Sequence, residues 1–217
     1  MRYGIVGYSG RMGQELAALF AGKGHELVLS ADKSGENVSA PPQVVLDFSL
    51  PQALPVTLRL CRSHKSALVL GTTGLGEAEA GEVRRLAQTV PVIHSSNFGV
   101  GTNILAMILR DYSGLLAEWE LEIEEAHHNK KIDAPSGTAL MLMRATGRTC
   151  PAHSLRLGNL PGDHTAHFAM GDELLSFTHR AVSRSMFAAG ALKAAEFAVN
   201  SAAGYYNFQD VLRLAKK

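Results

Sequence analysis

Three glycines at three-residue spacing, in Gly7-Tyr8-Ser9-Gly10-Arg11-Met12-Gly13, sit between a short apolar strand candidate, Arg2–Val6, and a helical stretch over residues 12–20 that closes on Gly22 and Gly24. A strand, a side-chain-poor turn and a helix start in direct succession force the backbone into a tight path. They also expose the first N–H groups of the helix to whatever lies in front of them. That is the local architecture of a dinucleotide-binding turn, in which small residues let the chain approach a pyrophosphate. The spacing is GxxGxxG, not the more common GxGxxG, and glycines so placed also serve plain helix–strand packing.

The pattern that follows is rhythmic. Residues 26–30, Val44–Asp47, Ala67–Leu70 and residues 92–94 read as strands, and residues 51–64 and 77–88 as helices between them. Runs such as Val44-Val45-Leu46 and Leu68-Val69-Leu70 are apolar throughout, as expected of parallel strands covered on both faces. Residues 34–42 are polar and rich in turn formers and read as a loop. The chemistry-bearing residues fall at the C-terminal ends of strands, the edge where open α/β sheets bind ligands. Asp32 lies about 20 residues past the glycines, where a carboxylate accepts hydrogen bonds from ribose hydroxyls. Lys33 beside it is a cation for a ribose 2′-phosphate, which Asp32 repels. The pair therefore predicts use of both NADH and NADPH. Gly71-Thr72-Thr73-Gly74 and Ser95-Ser96-Asn97-Phe98 end two further strands and predict a wall under the nicotinamide.

Past Gly99 the periodicity changes. Residues 100–116 read as one long helix. Residues 119–125 alternate, with Leu121 and Ile123 opposed to Glu120, Glu122 and Glu124, and residues 138–146 are helical. Residues 155–157, 166–170 and 174–179 read as antiparallel strands, residues 187–199 as an Ala-rich helix, and Tyr205, Tyr206 and Phe208 as part of a short tail. The predicted fold is α/β. An N-terminal Rossmann-like parallel sheet with helices on both faces is joined to a second α+β domain with a mixed or antiparallel sheet.

Composition excludes several classes. With Lys+Arg 21 against Asp+Glu 20 among 217 residues, the net charge of +1 lacks the basic excess of nucleic-acid-binding domains. No apolar stretch approaches the roughly 20 residues that span a bilayer. The first residues read as a strand, not as a signal segment. The two cysteines, Cys61 and Cys150, stand outside any CxxC pair and are expected to be reduced, so the expected location is cytoplasmic.

The most specific segment is Glu125-Ala126-His127-His128-Asn129-Lys130-Lys131-Ile132-Asp133-Ala134-Pro135-Ser136-Gly137-Thr138. Ser136 is a plausible N-cap, and the N–H groups near Ser136, Gly137 and Thr138 offer an anion site. Lys131 and a histidine add positive charge for a carboxylate-bearing substrate, and an imidazole is a natural proton carrier near neutral pH. Paired histidines also occur in metal sites, but no third ligand stands at a recognisable spacing, so no metal is expected.

This segment, together with GYSGRMG, GTTG, SNFGVGTN and FTHRAVSRSMFAAGALKAA, resembles the dihydrodipicolinate reductases over nearly the whole chain. The resemblance implies hydride transfer from NADH or NADPH to a cyclic dicarboxylate derived from 4-hydroxy-tetrahydrodipicolinate, in lysine and diaminopimelate biosynthesis. It implies His127 as acid/base and Lys131 as proton donor, with His128, Ser136, Gly137 and Thr138 on the substrate. Gly7, Tyr8, Ser9, Gly10, Arg11, Met12, Asp32, Lys33, Gly71, Thr72, Thr73, Ser95, Ser96, Asn97 and Phe98 would line the cofactor. It further implies a dinucleotide-binding domain of residues 1–98 with 187–217, a substrate-binding and oligomerisation domain of residues 99–186, and a homotetramer. Relative to the family the chain is short, between Lys33 and Val44 and again around residues 156–165. Competing readings are another small amino-acid dehydrogenase, of aspartate or homoserine type, and a non-catalytic NAD(P) sensor. The dehydrogenases share the glycine loop but lack the HHxxK and DAPSGT elements, and a sensor would lack the acid/base pair.

Overall fold

The computed structural model describes residues 1–214; residues 215–217, the end of the expected segment 187–217, lie outside the described residues. The elements in chain order are β1 (Arg2–Val6), α1 (Arg11–Gly22), β2 (Glu26–Asp32), β3 (Gly35–Val38), β4 (Val44–Asp47), α2 (Leu54–His64), β5 (Ala67–Leu70), α3 (Glu77–Leu86) and β6 (Pro91–His94). There follow α4 (Val100–Tyr112), β7 (Glu120–His127), α5 (Gly137–Thr146), β8 (Ala152–Arg156), β9 (Asp163–Met170) and β10 (Glu173–Arg180). The chain closes with α6 (Ser185–Ala198), β11 (Gly204–Tyr206) and α7 (Phe208–Leu214). Contacts divide it into two compact units, Met1–Phe98 with Phe187–Lys217, and Gly99–Met186.

The first unit is built on a seven-stranded sheet in the order β11-β6-β5-β4-β1-β2-β3. All pairings are parallel except β2 with β3. Every residue of β4 and β5 is buried, which is why those strands read as unbroken apolar runs. Val6, Leu29, Val45, Leu68 and Val92 of the sheet pack with Leu54, Leu58 and Val83 of α2 and α3.

Two strands depart from the sequence reading. Residues 34–42 contain β3, which turns back on β2 through Asp32↔Gly35 to Leu29↔Val38. All four of its residues are exposed, so no face carries the alternation that would mark a strand. The expected tail contains β11, a three-residue edge strand paired with β6.

The second unit has a four-stranded sheet in the order β10-β9-β7-β8. Helices α4 and α5 cover one face, where Leu105, Leu109, Leu142, Leu121, Ile123 and Phe168 form the core. Glu120, Glu122 and Glu124 lie on the other face and are exposed, as the alternation predicts. The sheet is mixed. β8 runs parallel to β7, against the expectation of an antiparallel strand at residues 155–157. Helix α5 lies between the two strands in sequence and supplies the crossover that a parallel pair needs. The long helix expected over residues 100–116 ends at Tyr112 and tightens into a 3-10 turn at Ser113–Leu116.

Helix α6 owes its close seating to small residues. Ala188, Gly190, Ala191, Ala194, Ala195 and Ala198 are all buried, and a Cβ at Gly190 would overlap the Phe98 carbonyl oxygen. Gly190→Ala is therefore expected to lower stability by about 2–3 kcal/mol, the upper range for overpacking. The midpoint of urea unfolding measures this, and an unchanged midpoint would refute such close seating.

Candidate active site

The glycine turn leaves no room for side chains. Gly7 has φ +78°, and a Cβ there would stand 2.7 Å from Ser49 Cβ. A Cβ at Gly13 would overlap the carbonyls of Gly7 and Tyr8. Helix α1 starts at Gly10 with no side-chain cap and no acidic residue in its first turn. Its N-terminal N–H groups and partial positive charge thus suit a phosphate. At the end of β2, Asp32 accepts the Ser9 N–H at 2.7 Å, and hydrogen bonds from Ser9 hold its carboxyl below the usual range. A cavity of about 280 Å³ opens here, lined by Tyr8, Asp32, Gly35, Glu36 and Asn37 among others. Glu36 reaches the cavity because β3 exists, and it is ion-paired with Arg59 of α2. A larger groove of about 740 Å³ between α2 and α3 contains no acid/base pair, and its Arg62 and Arg85 are both held by Glu82.

The loops after β4 and β5 are braced by a carboxylate that the sequence reading did not single out. Asp47 is fully buried and accepts hydrogen bonds from Ser49 Oγ at 2.5 Å, Thr57 Oγ1 at 2.6 Å and Thr72 Oγ1 at 2.8 Å. Thr72 is consequently turned inward, and its hydroxyl also accepts the Ser49 N–H at 3.1 Å. A Cβ at Gly71 would overlap the Phe48 ring. Phe98, expected along the cofactor, is 1% exposed and packs between Phe48 and Phe208, with ring centroids 5.1 Å from each. Its side chain is core. Ser95 Oγ donates to the Asn97 carbonyl at 2.8 Å and shapes the loop from within.

The second unit assembles the acid/base groups. Glu125 and His127 lie two apart on β7, on the face covered by helices. The buried Glu125 accepts five hydrogen bonds. Two come from the Arg156 guanidinium at 2.7 and 2.9 Å, and one each from Ser154 Oγ at 2.7 Å, the Ser136 N–H at 3.1 Å and His127 Nδ1. Burial alone would push its pKa up, but the hydrogen bonds from Arg156, Ser154 and His127 outweigh that and bring it to about 2. His127 is lowered below its ordinary 6.5, because desolvation exceeds the pull of Glu125. With Nδ1 donating to a carboxylate, Nε2 is the ring atom left for chemistry. It faces Gly162, where a Cβ would come within 2.8 Å.

His164 of β9 stands edge-on to His127, with ring centroids 5.0 Å apart at 78°. Its Nε2 lies 3.1 Å from Ser136 Oγ, which also accepts the Ala139 N–H at 3.1 Å and so caps α5 as expected. Ser136 is 1% exposed, with its N–H and hydroxyl both engaged inside the protein. It fixes the helix start on which Gly137 and Thr138 stand, and a Cβ at Gly137 would meet open space. Lys131 Nζ pairs with Asp133 Oδ1 at 2.8 Å. The loop carrying Lys131 is tied to the abbreviated segment after β8 through His128 N–H to Leu160 O, Asn129 N–H to Gly158 O, and Arg156 Nη2 to Asp133 O. Among the described residues, no group of three or more His, Cys, Asp or Glu could hold a metal ion. Glu125, Arg156 and His164 were missed as functional residues. Only Glu125 lay inside the singled-out segment.

Comparisons with known proteins place the chain in a family. The family model described as Dihydrodipicolinate reductase, N-terminus, matches residues 1–98, and the one described as Dihydrodipicolinate reductase, C-terminus, matches residues 101–212. The 4-hydroxy-tetrahydrodipicolinate reductase of Thermosipho africanus is 44% identical over 215 residues, covering 99% of each chain. That of Zymomonas mobilis is 34% identical over 248 residues, covering 99% of this chain and 98% of its own. Among solved structures, a dipicolinate-bound dihydrodipicolinate reductase from Paenisporosarcina aligns with a TM-score of 0.74 at 23% identity, covering 95% and 97% of the two chains. An aspartate dehydrogenase from Thermotoga maritima aligns at 0.55 and 13%, covering 91% and 96%. At those identities the structural likenesses speak for the fold alone.

The buried imidazole of His164 makes a pH prediction. Burial and the neighbouring His127 lower its pKa from 6.5 to about 3. Between those values the unfolded chain binds the proton and the folded chain does not, so stability falls as pH drops from 6.5 toward 3. Glu125 adds its own loss in a lower window, as pH falls from 4.5 toward 2. His164→Asn, which keeps a partner for Ser136, is expected to make the fall in melting temperature between about pH 6.5 and 5 less steep, the remainder coming from the other lowered histidines, His25, His94, His127 and His179. An equally steep fall in the variant would remove His164 from the account.

Proposed function

The chain belongs to the dihydrodipicolinate reductase family of NAD(P)H-dependent oxidoreductases, and on that premise we propose how its own residues carry the reaction and which cofactor they accept. The reaction reduces the cyclic dihydrodipicolinate derived from 4-hydroxy-tetrahydrodipicolinate to tetrahydrodipicolinate, in lysine and diaminopimelate biosynthesis. The observation that carries this reading is the convergence of Glu125–His127, Lys131 and the capped start of α5 within one unit. These groups supply an acid/base pair beside a site for carboxylates.

The first unit fits a dinucleotide. A Cβ at Gly7 would strike Ser49 and one at Gly13 the carbonyls of Gly7 and Tyr8, so both glycines keep the turn before α1 tight enough to offer main-chain N–H groups, and Asp32 offers an acceptor for a ribose hydroxyl. Gly7, Tyr8, Ser9, Gly10, Arg11 and Met12 would hold the phosphates, Asp32 and Lys33 the adenosine ribose. Gly71, Thr72, Thr73, Ser95, Ser96 and Asn97 would flank the nicotinamide, with Phe98 backing that loop from the core. When bound, the reduced nicotinamide supplies the hydride.

In the second unit, His128, Gly137 and Thr138 hold the substrate carboxylates and Ser136 fixes the turn. Lys131 leaves Asp133 for the incoming dicarboxylate, an exchange that a partly exposed ion pair permits at small cost. Its ammonium then protonates the electron pair that hydride addition leaves on the substrate. A proton donor so placed stabilises the transition state in which that charge develops. His127, held at Nδ1, presents Nε2 as the acid/base atom. The open face of the second sheet, where Leu155 and Leu174 are exposed, is the face we assign to homotetramer assembly. Among the described residues no helix is long and apolar enough to cross a membrane, and the expected location is the cytoplasm.

Two outcomes test the assignments, read by oxidation of NADH or NADPH with substrate generated in situ by the preceding synthase. Lys131→Ala and His127→Ala are each expected to lower kcat by about 10²-fold or more, the scale of a lost general acid or base, with little change in cofactor affinity. Near-wild-type turnover in both would refute the site. Lys33→Ala is expected to weaken NADPH and spare NADH, and Asp32→Ala to weaken NADH and spare or improve NADPH. Each shift in kcat/KM should be about five- to thirtyfold, from roughly 1–2 kcal/mol per exposed contact. Parallel shifts would mean that this pair does not read the ribose.

A further inference from the structure

We propose that Arg156 is a positioning residue for the proton chemistry: by gripping both oxygens of Glu125 it offsets the carboxylate's pull, so that the buried imidazole of His127 stays unprotonated while the ring remains anchored at Nδ1. The proposal rests on the reading of His127 as the acid/base.

A histidine facing a buried carboxylate alone would be expected to carry a proton, because attraction between the two charges is strong where water is excluded. Here the carboxylate is already matched. Glu125 Oε1 accepts from Arg156 Nη2 at 2.7 Å, Ser154 Oγ at 2.7 Å and the Ser136 N–H at 3.1 Å. Oε2 accepts from Arg156 Nη1 at 2.9 Å and from His127 Nδ1. A carboxylate offers about four lone-pair sites, so this one is saturated.

The charged and titratable groups around His127 come from every neighbouring element. They are Glu125 on its own strand, Arg156 on β8, His164 on β9, and Lys131 with Asp133 in the following loop. Arg156 cancels Glu125, and Asp133 pairs with Lys131. A proton on His127 would therefore add an unmatched positive charge beside two cations and the buried ring of His164. The neutral imidazole is the balanced state. It divides the labour, with Lys131 as the donor and His127 Nε2 as an acceptor.

Arg156 is well placed to hold this balance. Its guanidinium also donates to the carbonyls of Asp133 and Leu155, both at 2.7 Å, which fixes it relative to the Lys131 loop. Register pairs His127 with Arg156 and Glu125 with Ser154 across β7 and β8, so the arrangement follows from the sheet itself.

The test follows His127 by NMR titration of histidine-labelled full-length protein, alongside the pH profile of kcat/KM. In the wild type the imidazole should titrate below 6.5, with activity falling as pH drops through that value. Arg156→Gln removes the charge and keeps a donor. It should move both the titration and the acid limb upward, since one of the cations that disfavour the charged ring is gone. Arg156→Lys restores a cation and should bring both back toward the wild type. Glu125→Gln should move the titration the other way, and if Arg156→Gln alone does not fold, the double variant Glu125→Gln/Arg156→Gln decides: its imidazole should titrate above that of Glu125→Gln, and an equal value overturns the proposal. A merely structural arginine would lower kcat in these variants without moving either value, and an unmoved imidazole overturns the proposal. His127→Ala separates the two readings. If the acid limb survives there, the acid/base assignment fails. If the limb vanishes there but the imidazole stays put in Arg156→Gln, the role of Arg156 alone fails.

Discussion

Burying the carboxylate of Glu125 on the helix-covered face of β7 creates a demand that two other stretches of chain and its own strand must meet. An isolated charge in that position would be strongly destabilising, and removing one partner of a buried ion pair costs about 3–5 kcal/mol. The demand is met by Arg156 and Ser154 from β8, the N–H of Ser136 at the start of α5, and the ring of His127. Each donor comes from an element whose placement matters for chemistry. The same oxygens that neutralise one charge thus fix the imidazole, the capped helix start and the edge of the substrate loop. Parallel pairing of β7 with β8 is essential to this, since it sets Ser154 beside Glu125 and Arg156 beside His127.

The first unit solves a related problem with Asp47, at the end of β4. Loops at the C-terminal edge of a parallel sheet must present backbone to a ligand while staying ordered. Backbone that faces a ligand cannot also be packed. Asp47 resolves this from beneath by collecting the hydroxyls of Ser49, Thr57 and Thr72. Phe48, Phe98 and Phe208 close the same region with rings packed at tilted angles. Residues that looked like cofactor contacts in the sequence, Thr72 and Phe98, turn their side chains to this bracing.

What could be read from the sequence was local. The glycine turn, the apolar runs of β4 and β5, the alternation of β7 and the cap at Ser136 each depend on residues within a few positions of one another. The strands that escaped were those whose pattern is set elsewhere. β3 has both faces in solvent, β11 is three residues long, and the direction of β8 depends on the crossover through α5. The missing members of the site share that property. Arg156 and His164 lie 31 and 37 residues from Glu125 and His127 in their respective pairings, and only the register of β7 with β8 and β9 brings them in. The HHxxK and DAPSGT elements were legible because their chemistry is concentrated in one segment, not because the sequence revealed what orients them.

His127 and His164 show why burial alone does not define a role. Both are desolvated, both are pushed toward the neutral form, and their rings touch edge to face. One is anchored to a carboxylate and turns Nε2 toward a glycine, so a reacting group has somewhere to stand. The other spends Nε2 on the helix cap and leaves Nδ1 buried with no hydrogen-bond partner among the described residues, an arrangement that disfavours any protonated state. A cation on either ring would repel one on the other. On the proposed assignment, the neutral His164 would let His127 exchange a proton without competition from its neighbour, leaving His127 and Lys131 as the proton carriers of the site. A reductase that must deliver one proton for each hydride gains from such a short inventory, because each alternative donor near the substrate would be another place for the charge to reside.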